Sequence, residues 1–333
     1  MKLSKIGLCY YPTTLLLLDD NKEFLKKCEL TLSKHNPLLI YNSPEKALKF
    51  VNDEYQPKTF IDQCVASDGE RNFDRFNQEI NIRKINTIIY QIPSRFSEVA
   101  VLVVDYAMPE MNGLEFSRRI KKKHPFIKII VLTGEAGYPL AVEAFNEGII
   151  DKFIMKGKPD TIEIVLQSIE ELQHKYFFHL SETYLASANQ LHELECLTDP
   201  VFIELFNHVY KDNQIIEYYL MDDQGSFLLF NEEAKPSWLA VKTAKDLEGH
   251  WQHAEFEEAS KSVIQKLKSG QYIPYFHTEQ DLQTPPPQWE KYFHPAKQLK
   301  GKNTYYYSYI TDSQAYNIQP DKIVSYQHYL RSK

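Results

Sequence analysis

Five side chains carry the most coherent chemistry in this 333-residue sequence: the adjacent carboxylates Asp19 and Asp20, a third carboxylate at Asp105, the hydroxyl of Thr133 and the ammonium of Lys156. Neighbouring acids disfavour each other's charge unless a cation shares it. Taken alone, such a pair is explained equally well by a solvated helix start, where acids complement the dipole. Magnesium prefers an octahedron of oxygens and keeps several waters, so one or two carboxylates and a carbonyl suffice to hold it. Asp20 and Asp105 can supply the carboxylates and the backbone carbonyl of Ala107 a third oxygen, with Asp19 acting through water. An ion held there would offset the charge of an incoming phosphoryl group and let Asp105 attack as a nucleophile. The resulting acyl phosphate would be met by the Lys156 ammonium and by a hydrogen bond from Thr133.

Each of these groups stands at the end of a predicted strand. Thr13 to Leu18 delivers the acid pair, and the continuous apolar run from Ala100 to Val104 delivers Asp105 before Met108-Pro109 and Gly113 break it. A run of that kind reads as a strand buried on both faces of a parallel sheet. Leu38 to Tyr41 is a further strand, Phe126 to Thr133 another, and Asp151 to Lys156 a short last one. Helical patterns separate them: Phe24, Leu25 and Cys28; a start at Ser43-Pro44 with N-cap and N1 chemistry; Leu114 to Lys123; and Pro139 to Glu147, stopped by Gly148. The alternation from 13 to about 178 predicts an α/β fold, a doubly wound parallel sheet of five strands. In such sheets chemistry collects beyond the carboxyl ends of the strands.

The acid pair after strand one, Asp-x-x-Met-Pro-x-Met-x-Gly from Asp105, Thr133 after strand four and Lys156 after strand five resemble, in that order, the receiver domain of two-component response regulators. The resemblance implies a flavodoxin-like sheet and phosphotransfer to Asp105 from a sensor histidine kinase. It implies Mg2+ on Asp19, Asp20 and Asp105, phosphoryl contacts from Thr133 and Lys156, and Phe153 as the switch aromatic, a place that an ordinary core residue would fill as well. Two features depart from the pattern. Lys156 is followed by Gly157 where the family usually has proline. About 40 extra residues also separate the acid pair from Asp105, a long excursion by loop-length standards. Within about 55–97, Pro57 and Asp68-Gly69 are interleaved with Phe73, Phe76, Ile80 and Ile88 at helical spacing, which predicts a helical insertion offering an interaction surface.

The expected domains are a receiver over 1–178, a helical linker over 179–198 and an output domain over 199–333. The spacing of Ile162, Val165, Ile169, Leu172, Tyr176 and Leu180 predicts a helix running on towards His192. Beyond it, a helix from Asp199 to Tyr210, a hairpin turning at Asp222–Gly225, a second turn over Asn231–Pro236, a helical stretch over 246–269 closed by Gly270, and strands at Tyr272–His277 and Thr304–Ile310 predict an α+β domain with an antiparallel sheet. No helix-turn-helix pattern appears. Residues 196–333 hold 18 acidic and 14 basic side chains, which argues against DNA binding.

The order of elements faintly resembles PAS-type sensory domains, and 13 of the 22 tyrosines lie here, enough to line a small-molecule pocket or simply to fill a core. Asp223 with Glu233-Ala-Lys235 mimics the Asp…Glu-x-Lys set of metal-dependent nucleases, which would make the output domain an enzyme on nucleotides or nucleic acid. Glu233 and Lys235 fall in a turn, however, where charges are ordinarily solvated. Catalysis by the output domain is therefore left open. His250 and His253 stand at i and i+3 on a helix without an identifiable third metal ligand and read as polar surface residues.

A net charge of −7 gives no electrostatic footprint for nucleic acid. Four scattered cysteines suit a reducing cytoplasm. The apolar run Leu15–Leu18 is too short for a signal peptide, and no stretch approaches the roughly 20 residues of a membrane span. The inserted receiver joined to a domain without DNA-binding pattern resembles the response regulators of the α-hydroxyketone (Lqs) quorum-sensing system of Legionella-type bacteria. That resemblance implies a homodimer formed on phosphorylation and control of the switch between replicative and transmissive growth.

Overall fold

The computed structural model describes residues 3–55, 95–134, 138–187, 194–276, 281, 284–311 and 322–333. These divide into two compact units: the described parts of Tyr11–Gln63, Ile92–Ser181 and Tyr326–Lys333, and those of Met1–Tyr10 and Glu182–Ser325.

The first unit is an α/β layer structure. Its strands are β2 (Thr14–Leu18), β3 (Leu38–Tyr41), β4 (Val99–Asp105), β5 (Lys128–Thr133) and β6 (Lys152–Met155), β1 being kept for Cys9–Tyr10 of the second unit. They lie in the order β3-β2-β4-β5-β6, all parallel, the doubly wound arrangement expected from the sequence. Every residue of β2, β4 and β5 is buried, as two-sided coverage by helices requires.

Local chemistry sets the helices. Asn21 caps α1 (Lys22–Leu32) by accepting from the backbone of Glu23 and Phe24. Ser43 with Pro44 opens α2 (Pro44–Lys49), and Asn112 caps α3 (Gly113–Lys123), whose last turn carries Lys121, Lys122 and Lys123 against the dipole. α4 spans Tyr138–Asn146 and α5 Thr161–Ser187. α5 buries Val165, Ile169, Leu172 and Leu180, each of which contributes roughly 1.5–3 kcal/mol. Its polar anchors are as specific: Tyr11 and Tyr176 both donate to the buried carboxylate of Glu98, the latter at 2.5 Å, and the Gln173 amide donates to the Thr13 hydroxyl at 2.9 Å. The expected course of α5 towards His192 leaves the described residues after Ser187. Of the expected insertion over about 55–97, only Tyr55 and the single 3-10 turn Arg95–Ser97 are described.

The second unit is the expected α+β domain. Its main sheet has the order β1-β7-β8-β9-β13-β12, all antiparallel, formed by β1, β7 (Ile215–Leu220), β8 (Phe227–Asn231), β9 (Pro236–Thr243), β12 (Lys297–Lys300) and β13 (Thr304–Ile310). α6 (Pro200–Asp212) sets Phe206 edge-on against Tyr218 at 5.0 Å and beside Phe227 at 4.8 Å. The helical stretch 246–269 is two helices, α7 (Ala244–Phe256) and α8 (Lys261–Ser269), because Glu258 turns left-handed at φ 52° and Ser260 caps a new start. Of the expected strand Tyr272–His277, the described residues contribute only β10 (Tyr272–Pro274), which pairs with β11 (Phe293–Pro295) as a separate two-stranded sheet.

The expected boundaries differ from this division at both ends. Cys9 and Tyr10 pair with Tyr219 and Tyr218, so these two residues join the antiparallel sheet and the described residues 3–10 belong to its unit. A last helix, α9 (Tyr326–Arg331), packs in the parallel unit. Both arise from pairing across more than 200 positions, which no local pattern announces.

Candidate functional site

The parallel register brings the chemistry to one edge. Leu18 stands opposite Val104, Asp105 opposite Leu132, and Thr133 opposite Met155, so Asp19, Asp105, Thr133 and Lys156 all emerge at the carboxyl ends of neighbouring strands. Asp19, Asp20 and Asp105 can each bring one carboxylate oxygen within 4.8 Å of the other two. Asp19 and Asp105 are buried, while Asp20 is exposed.

Lys156 closes the cluster. Its Nζ is 2.8 Å from Asp105 Oδ1 and 2.6 Å from Asp19 Oδ2. Lys156 thus bridges the two buried carboxylates. Asp19 Oδ1 accepts from the Asn21 backbone at 2.9 Å. Burial raises the Asp105 carboxyl above its ordinary range; Lys156 opposes this, and the charges of Asp19 and Asp20 add to it. Burial alone would lower the Lys156 ammonium, but the carboxylates of Asp105 and Asp19 outweigh it and hold the group above its usual value. Three carboxylates thus face one ammonium. The all-oxygen donor set of three clustered carboxylates, in excess of the one ammonium, fits a hard divalent cation such as Mg2+.

The loop after β4 is fixed by its backbone. The Tyr106 N–H donates to the Leu132 carbonyl at 2.8 Å, and the Gly113 N–H donates to the Tyr106 carbonyl at 2.9 Å. Ala107, whose carbonyl is the expected third ligand, is exposed on this loop. Thr133 is buried; its hydroxyl donates to the Gly134 carbonyl at 2.9 Å, while its own carbonyl receives the Lys156 N–H at 2.9 Å.

Phe153 is half-buried on β6, opposite Val131, and packs edge-on against Phe145 of α4 at 6.1 Å. Phe145 and Leu140 leave nearly half their surface exposed on that helix. Phe24 lies under the Lys156 ammonium at 4.7 Å from the ring centre. Sequence reading missed Phe24, Asn21 and Phe145 as parts of the site. The Asp-Asp-Asn order before a helical pattern was a usable signal for the cap, whereas the two aromatic contacts join separate elements and left none.

The output-domain set does not assemble. Asp223 sits in the turn before β8 and Glu233 and Lys235 in the turn after it. All three are exposed, and five strand residues put the two turns roughly 17 Å apart. The Asn231 side chain accepts from the backbone of Glu233 and Lys235, a tight turn with outward charges. Asp223 instead lines a cavity of about 180 Å3 with Glu195, Cys196, Gln224, Thr243, Asn303 and Tyr305. His250 and His253 pack their rings on Trp289 at 5.6 and 5.7 Å, in an aromatic cluster with Phe276.

Comparison with known proteins gives the same picture from a different direction. The family model described as the response regulator receiver domain matches residues 86–167. The chain is 33% identical to the structure of the Legionella pneumophila response regulator LqsR, covering 98% of this chain and 95% of that one with a TM-score of 0.81. It is 41% identical over 70 residues to the transcriptional regulatory protein FixJ of Rhizobium meliloti, 21% of this chain and 33% of that protein. It is 31% identical over 85 residues to a chemotaxis protein CheY homolog of Campylobacter jejuni, 25% of this chain and 63% of that protein. The chain therefore spans a third and somewhat under two thirds of these two curated relatives.

Proposed function

We propose, from the premise that this chain belongs to the two-component response regulators, that Asp105 accepts a phosphoryl group from a sensor histidine kinase and thereby switches the antiparallel unit between partners. The carrying observation is the cluster of two buried acids and one exposed acid capped by Lys156.

An Asp105 oxygen attacks phosphorus as the bond from phosphorus to the donor's imidazole nitrogen breaks; the nitrogen keeps the electron pair and takes up a proton. Asp19, Asp20 and the Ala107 carbonyl would hold Mg2+, which when bound supplies charge neutralisation to the phosphoryl oxygens. Lys156, already 2.8 Å from Asp105 Oδ1, pairs with a phosphoryl oxygen. The Thr133 hydroxyl turns from the Gly134 carbonyl to another oxygen. Its movement vacates space for Phe153, whose contact with Phe145 gives way and reshapes the α4 surface.

The consequence is homodimerisation or a change of partner in a cytoplasmic α-hydroxyketone quorum-sensing circuit. Receiver over 1–178, linker over 179–198 and output domain over 199–333 are the working parts, with chain ends exchanged as the pairing of β1 and the place of α9 indicate. For the output domain we favour binding over catalysis and over DNA recognition, since Asp223 lies at the far end of β8 from Glu233 and Lys235. The cavity beside Asp223 supports a second reading, a module that senses a small polar molecule. Among the described residues no helix is long and apolar enough to cross a membrane.

Sedimentation of the wild type and Asp105→Asn with and without Mg2+ and beryllium fluoride tests the proposal. A mass shift confined to the wild type with both reagents is expected. Beryllium fluoride that binds Asp105→Asn as well as it binds the wild type would overturn it.

A further inference from the structure

α9 follows the antiparallel unit in sequence yet packs in the parallel one. Its Tyr326 ring meets Phe96 edge-on at 5.2 Å, Tyr329 meets the same ring at 5.4 Å, and the Tyr326 hydroxyl donates to the His35 carbonyl. Beneath them Phe96 is fully buried, and its carbonyl accepts the Thr14 hydroxyl at 2.7 Å. Phe96 precedes β4 and Thr14 begins β2, so α9 covers the amino ends of the two strands whose carboxyl ends lead to Asp19 and Asp105.

Six residues cannot hold a helix unaided. Nucleation is costly, and isolated helices shorter than about 12–15 residues are marginal in water. The helical state of α9 is therefore coupled to its docking, and short segments of that kind open locally at less than the free energy of global unfolding. Connectivity gives such opening a consequence. The stretch Glu182–Ser325 is joined to the parallel unit through Ser181 at one end and Tyr326 at the other, and the docking of α9 secures the second junction.

We propose that α9 is a reversible strap: docked, it buries Phe96 and ties down the carboxyl end of the antiparallel stretch; released, it unwinds, uncovers Phe96 and leaves that end free. The occupant of the Phe96 surface is this segment of the chain itself.

Hydrogen exchange on the full chain tests the strap. Amides of 329–332, which the helix itself can bond, should exchange at least about tenfold faster than those in the middle of α3 and at least about tenfold slower than the same segment as a free peptide. Phe96→Ala should bring them to the free-peptide rate with α3 unchanged, and Tyr326→Phe, which keeps the ring and loses only the hydroxyl, should fall between. A chain ended at Ser325 should bind a labelled peptide of residues 322–333 saturably, and the full chain should bind it at least about tenfold more weakly. Exchange of α9 as slow as α3 would make it a fixed part of the core. Exchange at the free-peptide rate in the wild type, or no saturable binding to the shortened chain in its native fold, would show that it does not dock. Each of these results overturns the proposal.

Discussion

Gly113 lies so close to Asp105 that a Cβ at position 113 would overlap the Asp105 carbonyl oxygen and stand 3.0 Å from its carbonyl carbon. The glycine is therefore required by close approach of the α3 start to the strand that carries the acid. Gly113→Ala should destabilise by about 2–4 kcal/mol, because backbone must move to admit the methyl group. Urea denaturation measures the loss. Beryllium fluoride titration should show weakened binding, since the displaced backbone belongs to Asp105 itself. A variant with wild-type stability would mean that α3 starts farther from β4.

Asp105→Asn should be more stable than the wild type in the absence of Mg2+, by about 1 kcal/mol, at the cost of function. Burial first, and the neighbouring acids next, hold the Asp105 carboxyl above its ordinary range. A group raised in the fold stabilises fully below its unfolded value, and that contribution is lost as pH rises through the folded value. The advantage of the asparagine should thus grow from acid to neutral pH. Thermal melts at several pH values check it, and an advantage that shrinks with rising pH would contradict the sign.

Lys156→Met leaves Asp19, Asp20 and Asp105 facing one another with no ammonium between them. Breaking a buried pair by removing one partner costs about 3–5 kcal/mol, less here because Lys156 is partly exposed. Mg2+ should raise the melting temperature of this variant more than that of the wild type. Equal shifts would show that ion and lysine do not share the same carboxylates.

Acid should weaken the second unit through His250. Burial first, and then the charge of Lys242, lower this imidazole from 6.5 to about 4, while Asp246 opposes and His253 adds to the effect. A lowered histidine gives stability that is present above its unfolded value and is lost as pH falls from 6.5 towards 4. The full loss is about 3 kcal/mol before any discount for the ring's residual exposure. His250→Gln should flatten the pH dependence of stability in that window. An unchanged profile would move acid sensitivity elsewhere.

The gathering of Asp19, Asp105, Thr133 and Lys156 at one sheet edge was legible in the sequence because they end or follow predicted strands, and an unbroken run such as Ala100–Val104 announces both the strand and its end. The hairpin β7–β8 was legible through its turn. What escaped shares one cause, dependence on distant partners. Phe24 under Lys156 and Phe145 against Phe153 join separate elements, and β1 is two residues that become a strand only beside β7. The Asp223, Glu233 and Lys235 set failed for the opposite reason: the residue types matched, but β8 stands between them.

The pairing of Cys9 with Tyr219 also sets an order of events at the ribosome. At roughly 5–20 residues per second, about 10–40 seconds of synthesis separate the emergence of β1 from that of β7. Through that interval the parallel layer has all of β2 to β6 and can form its sheet, lacking only α9, while the first strand of the other sheet must wait with its edge unpaired. The nascent chain therefore carries an open docking edge ahead of a formed parallel sheet, and the antiparallel sheet closes only when its own middle has been made.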